Sequence, residues 1–245
     1  MTLDETSTVQ HGATAIPYEI RRSVRRKTIT ITVDPERGVV LAAPWRVPVS
    51  RLDRIVHERG RWIVEKLREL EESRRHSPPH GFVCGEPFLL LGRPYALRVV
   101  PGSSEEAVTV DGDELRVTVG DWLQGPQRSK AVRAALEAWY EAQASWYLPE
   151  RVALWREPVG VNPARVIVKT QHRRWGSCDA HGTLRLNWRI VQAPLELVDY
   201  VVVHELVHLR FRGHQRDFWE SVGAVMPDYP RLRDTLRELG ERLDW

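Results

Sequence analysis

His204-Glu205-Leu206-Val207-His208, followed by Leu209-Arg210-Phe211-Arg212-Gly213-His214, is the stretch from which the rest of this chain can be read. Two histidines four apart on a helix share one face, about one turn from each other, so their imidazoles can close on one cation. Glu205 follows the first of them, about 100° further round the helix axis. That places its carboxylate beside the ligands and within reach of a water they activate. The pattern is H-E-x-x-H, whose chemistry is zinc-assisted hydrolysis with the Glu as general base.

A catalytic zinc needs a third protein ligand and one open position. His214, six residues after His208, is the candidate. In the longer metzincin motif the third His has the same spacing, with a Gly three residues after the second His. Here Phe211 holds that position, and the nearby glycine is Gly213. The helix is therefore expected to run further and to turn at Arg212-Gly213, since Gly is the usual residue just past a helix end. The turn would bring His214 back toward the metal, in a zincin family other than the metzincins. The bland alternative is a chance match on an amphipathic helix, with structural histidines. Three features weigh against it: the buried-looking run Val201-Val202-Val203 ahead of the motif, the spacing of His214, and a separate set of upstream motifs described below.

At 245 residues the chain has room for one large domain or two small ones. Its apolar and charged shares, 42% and 28%, are those of a globular protein, and no run approaches a membrane span. The start, Met1-Thr2-Leu3-Asp4-Glu5, lacks the basic and apolar regions of a secretory signal. Cys84 and Cys178 are the only cysteines, which excludes a disulfide framework and a Cys-based structural zinc site and fits a reducing cytoplasm. A net charge of +3 permits nucleic-acid contact without requiring it.

Four segments are expected. Residues 1–15 are polar and aperiodic and read as a disordered tail. Residues 16–80 read as a β-hairpin plus helix. Tyr18 to Val33 forms one long strand or a strand pair, Asp34-Pro35-Glu36-Arg37-Gly38 turns, and Val39 to Ala43 returns. A helix capped by Ser50 then runs to about Ser73 and breaks at Ser77-Pro78-Pro79-His80-Gly81. Residues 81–125 are β-rich, with a hairpin signal at Asp111-Gly112. Residues 126–245 hold the metal motif. There a helix spans about Gln127 to Trp155, Pro149 threatening to kink it, and strands lie at Arg165 to Thr170 and Thr183 to Trp188. The loop Gln171 to Gly182 joins those strands, Pro194 opens the metal helix, and Arg231 to Leu243 closes the chain as a helix. No internal repeat is visible. The basic run Arg21-Arg22 with Arg25-Arg26-Lys27 reads first as a solvated strand edge and second as a phosphate-contacting patch.

Four separated motifs then occur in order. They are Arg174-Trp175-Gly176-Ser177-Cys178, Leu186-Asn187-Trp188, Asp199 through Leu209, and His214 with Phe218-Trp219 and Pro227-Asp228-Tyr229. With Arg22-Ser23, Lys27-Thr28-Ile29, Gly38-Val39 and Ala43-Pro44 upstream, the chain resembles the YgjP-like metallopeptidases from about residue 16 to 240. His204 to Trp219 is also similar, more locally, to the WLM and SprT-like proteases associated with DNA–protein crosslinks. The first resemblance implies an α+β, zincin-like fold of the small gluzincin type. In that fold a twisted, mainly antiparallel sheet packs on the metal helix, its edge strand lines the cleft, and the β-rich and helical part precedes it. The resemblance also implies that His204, His208 and His214 hold Zn²⁺ and that Glu205 is the catalytic acid/base.

Attack on an amide carbonyl produces an oxyanion that a donor must meet. Arg174, His172 and Tyr229 are the candidates. Arg174 can alternatively bind a substrate carboxylate, or simply lock its loop by stacking with Trp175. Cys178 reads as a small buried residue and His181 as a turn residue. The expectation is a cytoplasmic zinc-dependent peptidase acting on peptide or protein, with no membrane partner. Two rivals stand beside it. One is a DNA-associated protein, crosslink-repair-like or restriction-associated, whose basic N-terminal part docks on nucleic acid. The other is a zinc-stabilised scaffold without turnover.

Overall fold

Ile16, Tyr18 and Ile20 alternate with more exposed neighbours, and a strand with that period buries one face. Their strand belongs to the first of two units, residues 1–79 and 80–245. The computed structural model describes residues 5–34, 37–76, 80–102, 107–171, 174–240 and 243, with residues 73–76 described by backbone alone.

In the first unit β1 (Glu5–His11), β2 (Thr14–Ser23), β3 (Thr30–Asp34) and β4 (Gly38–Pro44) form a sheet of order β1-β2-β4-β3. The expected tail is thus a strand from Glu5 onward. Val9 carries little apolar weight in sequence, yet it pairs opposite Ile16 and is buried on the same core. Tyr18 to Val33 is a strand pair, but the two do not pair with each other: β2 runs parallel to β4, with Tyr18 opposite Val39 and Ile20 opposite Leu41. Val39, Leu41 and Ala43 complete the buried face, which Leu52, Val56 and Ile63 cover from two helices, α1 (Val49–Glu58) and α2 (Gly60–His76). One helix capped by Ser50 was the expectation. Instead Pro48 precedes the first turn without a side-chain cap, and the chain breaks at Arg59. Gly60 is required at the break, because a Cβ there would lie 2.2 Å from the His11 ring.

The second unit opens with the same topology. β5 (Pro87–Leu90), β6 (Arg93–Gly102), β7 (Ala107–Asp111) and β8 (Glu114–Gly120) take the order β5-β6-β8-β7. Again the second and fourth strands are parallel and the outer pairs antiparallel. The buried triplet Ile16, Tyr18, Ile20 has its counterpart in Tyr95, Leu97, Val99, and Val39, Leu41, Ala43 in Leu115, Val117, Val119. An internal repeat therefore exists where none was expected. Its two copies share a buried face and a register, not residue identities, so direct inspection of the sequence does not reveal it. As the Asp111-Gly112 signal anticipates, β7 and β8 form a tight hairpin, Asp111 opposite Glu114 and Gly112 at φ 62°.

This sheet and the metal-helix region share one core, so residues 81–125 do not stand apart from 126–245. The tight turn between β5 and β6 has positive φ at both Leu91 and Gly92. Their N–H groups donate to the carbonyls of Val191 and Gln192, and a Cβ on Gly92 would lie 2.9 Å from the Pro194 Cα. Tyr140 seals the join by donating to the Leu89 carbonyl at 2.7 Å. Tyr140 lies on α3 (Gly125–Val159), which carries Pro149 and Pro158 internally without ending and closes at Gly160 in the left-handed region.

After α3 come β9 (Arg165–Lys169), β10 (Gly176–Cys178) and β11 (Thr183–Asn187), in the order β10-β11-β9, with β11 antiparallel to β10 and parallel to β9. A buried 3₁₀ turn, Trp188–Gln192, leads into α4 (Leu195–Val207), then α5 (Arg216–Val225) and α6 (Tyr229–Gly240). Pro230 sits in the first turn of α6, as suits a residue without an N–H. Ten of the thirteen residues of α4 are buried, so it is a core helix on nearly every side. Strands and helices mixed in this way, with a mixed three-stranded sheet against α4, make the fold α+β.

Candidate metal centre

α4 is apolar nearly all round, and the first two histidines emerge at its C-terminal end. The helix stops at Val207, with His208 as its cap, earlier than the expected turn at Arg212-Gly213. Residues 208–210 form a tight turn, and Phe211 N–H still bonds to the Val207 carbonyl at 3.1 Å. That early turn returns His214 to the other two rings. His214 Nε2 lies 3.0 Å from His204 Nε2 and 3.1 Å from His208 Nε2.

The surroundings fix each ring. His208 Nδ1–H donates to the Phe211 carbonyl at 2.8 Å, which leaves its Nε2 as a lone pair facing the others. Trp219 Nε1–H donates to the His214 carbonyl at 3.1 Å and so holds the third histidine's backbone. Phe218, fully buried, touches all three rings with centroid distances of 4.9, 4.6 and 4.8 Å. Burial, aided by the other two rings, pushes His204 down to about 3, and burial lowers His208 as well. Three imidazole nitrogens that face one another cannot all be matched by ring protons. A cation satisfies all three, and a zinc ion 2.0–2.1 Å from each would hold them about 3.3 Å apart. The donor set therefore fits such an ion with little rearrangement.

Glu205 is 6% exposed, and burial pushes its carboxyl up to about 7, against the pull of Arg174. One of its oxygens, Oε2, is buried with no protein partner among the described residues. Gly176, on the edge strand β10, lies directly against it: a Cβ there would be 2.5 Å from Glu205 Cγ and 2.7 Å from Oε1. Asn187 steadies the approach to that strand. Its side-chain amide donates to the carbonyls of Gln171 and Arg174, and its backbone N–H to that of Trp175. Gly176, Asn187, Phe218 and Trp219 carry no charge signal. Sequence marks them only as members of a family motif, without a role.

A cleft opens over the three histidines and Glu205, with Arg174, Trp175, Ser177, Cys178 and Tyr200 in its lining. Of the three oxyanion candidates, Arg174 is there. Tyr229 is not in that lining; its ring stacks on Trp219 at 5.2 Å. His172 lies outside the described residues. Cys178 is half-buried rather than buried, and burial raises its thiol pKa. His181 takes the turn position expected of it, its N–H donating to Asp179.

Three of the five residues in the basic run of the first unit are engaged locally. Arg21 pairs with Glu19 at 2.8 Å, Arg22 pairs with Glu5 at 2.7 Å and donates to the carbonyls of Trp45 and Val47, and Arg26 donates to Thr30. That is the strand-edge reading, and nothing at the run favours nucleic acid. No described helix is long and apolar enough to cross a membrane.

A search of curated proteins finds no match. Among solved structures, the chain is similar to the metallopeptidase zymogen abylysin of Pyrococcus abyssi, at 20% identity and TM-score 0.35, over 38% of this chain and 95% of that one. It is similar too to the metallopeptidase zymogen jannalysin of Methanocaldococcus jannaschii, at 19% identity and TM-score 0.34, over 37% of this chain and 94% of that one. TM-scores that low do not bear on fold or function. The family described as "YgjP-like, metallopeptidase domain" matches residues 27–239, a span that takes in the histidine triad, Glu205 and the Gly176 strand. The chain thus belongs to the YgjP-like metallopeptidases.

Proposed function

We propose that the chain is a zinc-dependent peptidase in which His204, His208 and His214 hold the ion through Nε2 and Glu205 is the general base and acid. The observation that carries this reading is the convergence of three Nε2 atoms beside a buried carboxylate with an unpartnered oxygen. A bound zinc ion supplies Lewis acidity, polarising a carbonyl and lowering the pKa of water to about 7. Glu205 accepts the proton of the attacking water and delivers it to the leaving amide nitrogen. Its low exposure and the carboxyl pKa raised by burial suit a group that must take a proton and give it back near neutrality. Arg174, just ahead of β10, is the one oxyanion candidate in the cleft lining among the described residues, and its guanidinium can alternatively bind a substrate carboxylate; of the other two candidates, Tyr229 is engaged with Trp219 and His172 lies outside the described residues. All of these groups lie in residues 80–245, to which we assign catalysis, with residues 5–76 as a separate β-sheet and helix unit. The free thiols of Cys84 and Cys178 suit work in the reducing cytoplasm.

The test is a product profile from an unbiased peptide library. Zinc-loaded protein is expected to release defined fragments, chelator to stop their release, and added zinc to restore it. Fragments that persist unchanged in chelator would rule out metal-assisted hydrolysis.

A further inference from the structure

The cleft over the three imidazoles has a volume of about 740 Å³, and its charge is one-sided. Four arginines line it, Arg174, Arg212, Arg233 and Arg237, against two carboxylates, Asp179 and Glu205. Neither carboxylate offsets the four. Asp179 accepts from Arg185 at 2.8 Å and from the N–H groups of His181 and Thr183 at 2.9 and 3.0 Å, so its charge is already matched. Glu205 is buried against Gly176. Arg233 and Arg237, one turn apart on α6, share the single carboxylate of Asp234 at 3.7 and 3.3 Å. Arg174 and Arg212 have no carboxylate partner among the described residues. They reach the cleft from different elements, Arg174 just ahead of β10 and Arg212 in the turn between His208 and His214.

We propose that the cleft selects peptides carrying a carboxylate next to the scissile amide, read by Arg212 and Arg174. This rests on the peptidase reading of the same site and adds the substrate's charge class. A guanidinium fork matches a carboxylate in two parallel hydrogen bonds, and a cleft lined by one sign of charge concentrates the opposite sign within it. The apolar lining between the arginines, Trp175, Val201 and Leu236, suits the body of a peptide rather than a continuous run of phosphates.

The test measures binding without turnover. Zinc-loaded, full-length Glu205→Gln protein is titrated, by fluorescence anisotropy, with three labelled peptides of one sequence. The first has an internal Glu and an amidated end, the second an internal Gln and an amidated end, the third an internal Gln and a free terminal carboxylate. One of the two carboxylate peptides is expected to bind about tenfold or more tightly than the neutral one at low ionic strength, the ratio shrinking as salt screens the cleft. Which one it is tells a side-chain carboxylate from a chain end. Adding Arg212→Gln or Arg174→Gln is expected to bring the ratio to within about twofold, whereas a purely structural loss weakens all three peptides alike and leaves the ratio standing. Equal affinities, an unmoved ratio, or tighter binding of a short single-stranded oligonucleotide would each overturn the proposal. Failure of wild-type protein to cleave any peptide would instead sink the peptidase reading, and the binding ratios would still decide this one.

Discussion

Gly176 and Glu205 stand closer than any two side chains would allow. A methyl group on Gly176 would have to displace the Glu205 side chain, whose Cγ, Cδ and Oε1 all lie within 2.7 Å of where it would sit. Displacement of a proton-transfer group by about 1 Å costs on the order of 10²-fold in rate. Gly176→Ala is therefore expected to lower kcat about 100-fold while zinc content stays at that of wild type. Peptide kinetics with metal analysis on the same samples checks this, and an unchanged kcat would show that β10 has room to give. At this scale the sequence was informative about charge and silent about shape. Two histidines and a glutamate at helical spacing announce their chemistry, and His214 follows from the need for a third ligand. A glycine required by close approach, a phenylalanine under three imidazoles and a tryptophan holding a backbone carbonyl look like any core residues until the packing is known.

Polar contacts join some of the elements that hold the site. Arg151 on α3 grips Asp199 on α4 in two hydrogen bonds of 2.6 and 2.7 Å, with Asp199 8% exposed. Removing Asp199 leaves the half-buried Arg151 guanidinium without its partner, at about 3 kcal/mol. Asp199→Ala is thus expected to lower unfolding stability by about 3 kcal/mol, and Arg151→Met with Asp199→Leu to recover most of it. Denaturant melts of the three proteins check the order, and a double variant no more stable than Asp199→Ala would contradict it. Helices were the legible elements, because a long apolar run or a strong helical stripe declares itself within one segment. α4 was placed from Pro194 and its valines, though its end fell several residues early because His208 caps the helix itself. Strand pairing was not legible. The parallel registers of β2 with β4 and of β6 with β8 depend on residues far apart in sequence, and the expected disordered tail is a strand because β2 offers it an edge.

Across the whole chain, the two units carry the same four-stranded topology, yet all three proposed ligands lie in the second. A ligand that binds only the folded state stabilises it by RT ln(1 + [L]/Kd), about 4 kcal/mol at a thousandfold excess over Kd. Zinc is therefore expected to raise the calorimetric transition of residues 80–245 and chelator to lower it, while the transition of residues 5–76 stays in place. Equal shifts in both transitions would place metal outside the histidine triad. The central claim is that the triad holds the ion and Glu205 moves the proton, and one comparison reaches it directly: peptide hydrolysis by wild type and by Glu205→Gln, each carrying a measured amount of zinc. The expected result is one zinc per chain in both proteins and a loss of about 10³-fold in kcat for the variant. Equal rates at equal zinc content would contradict it.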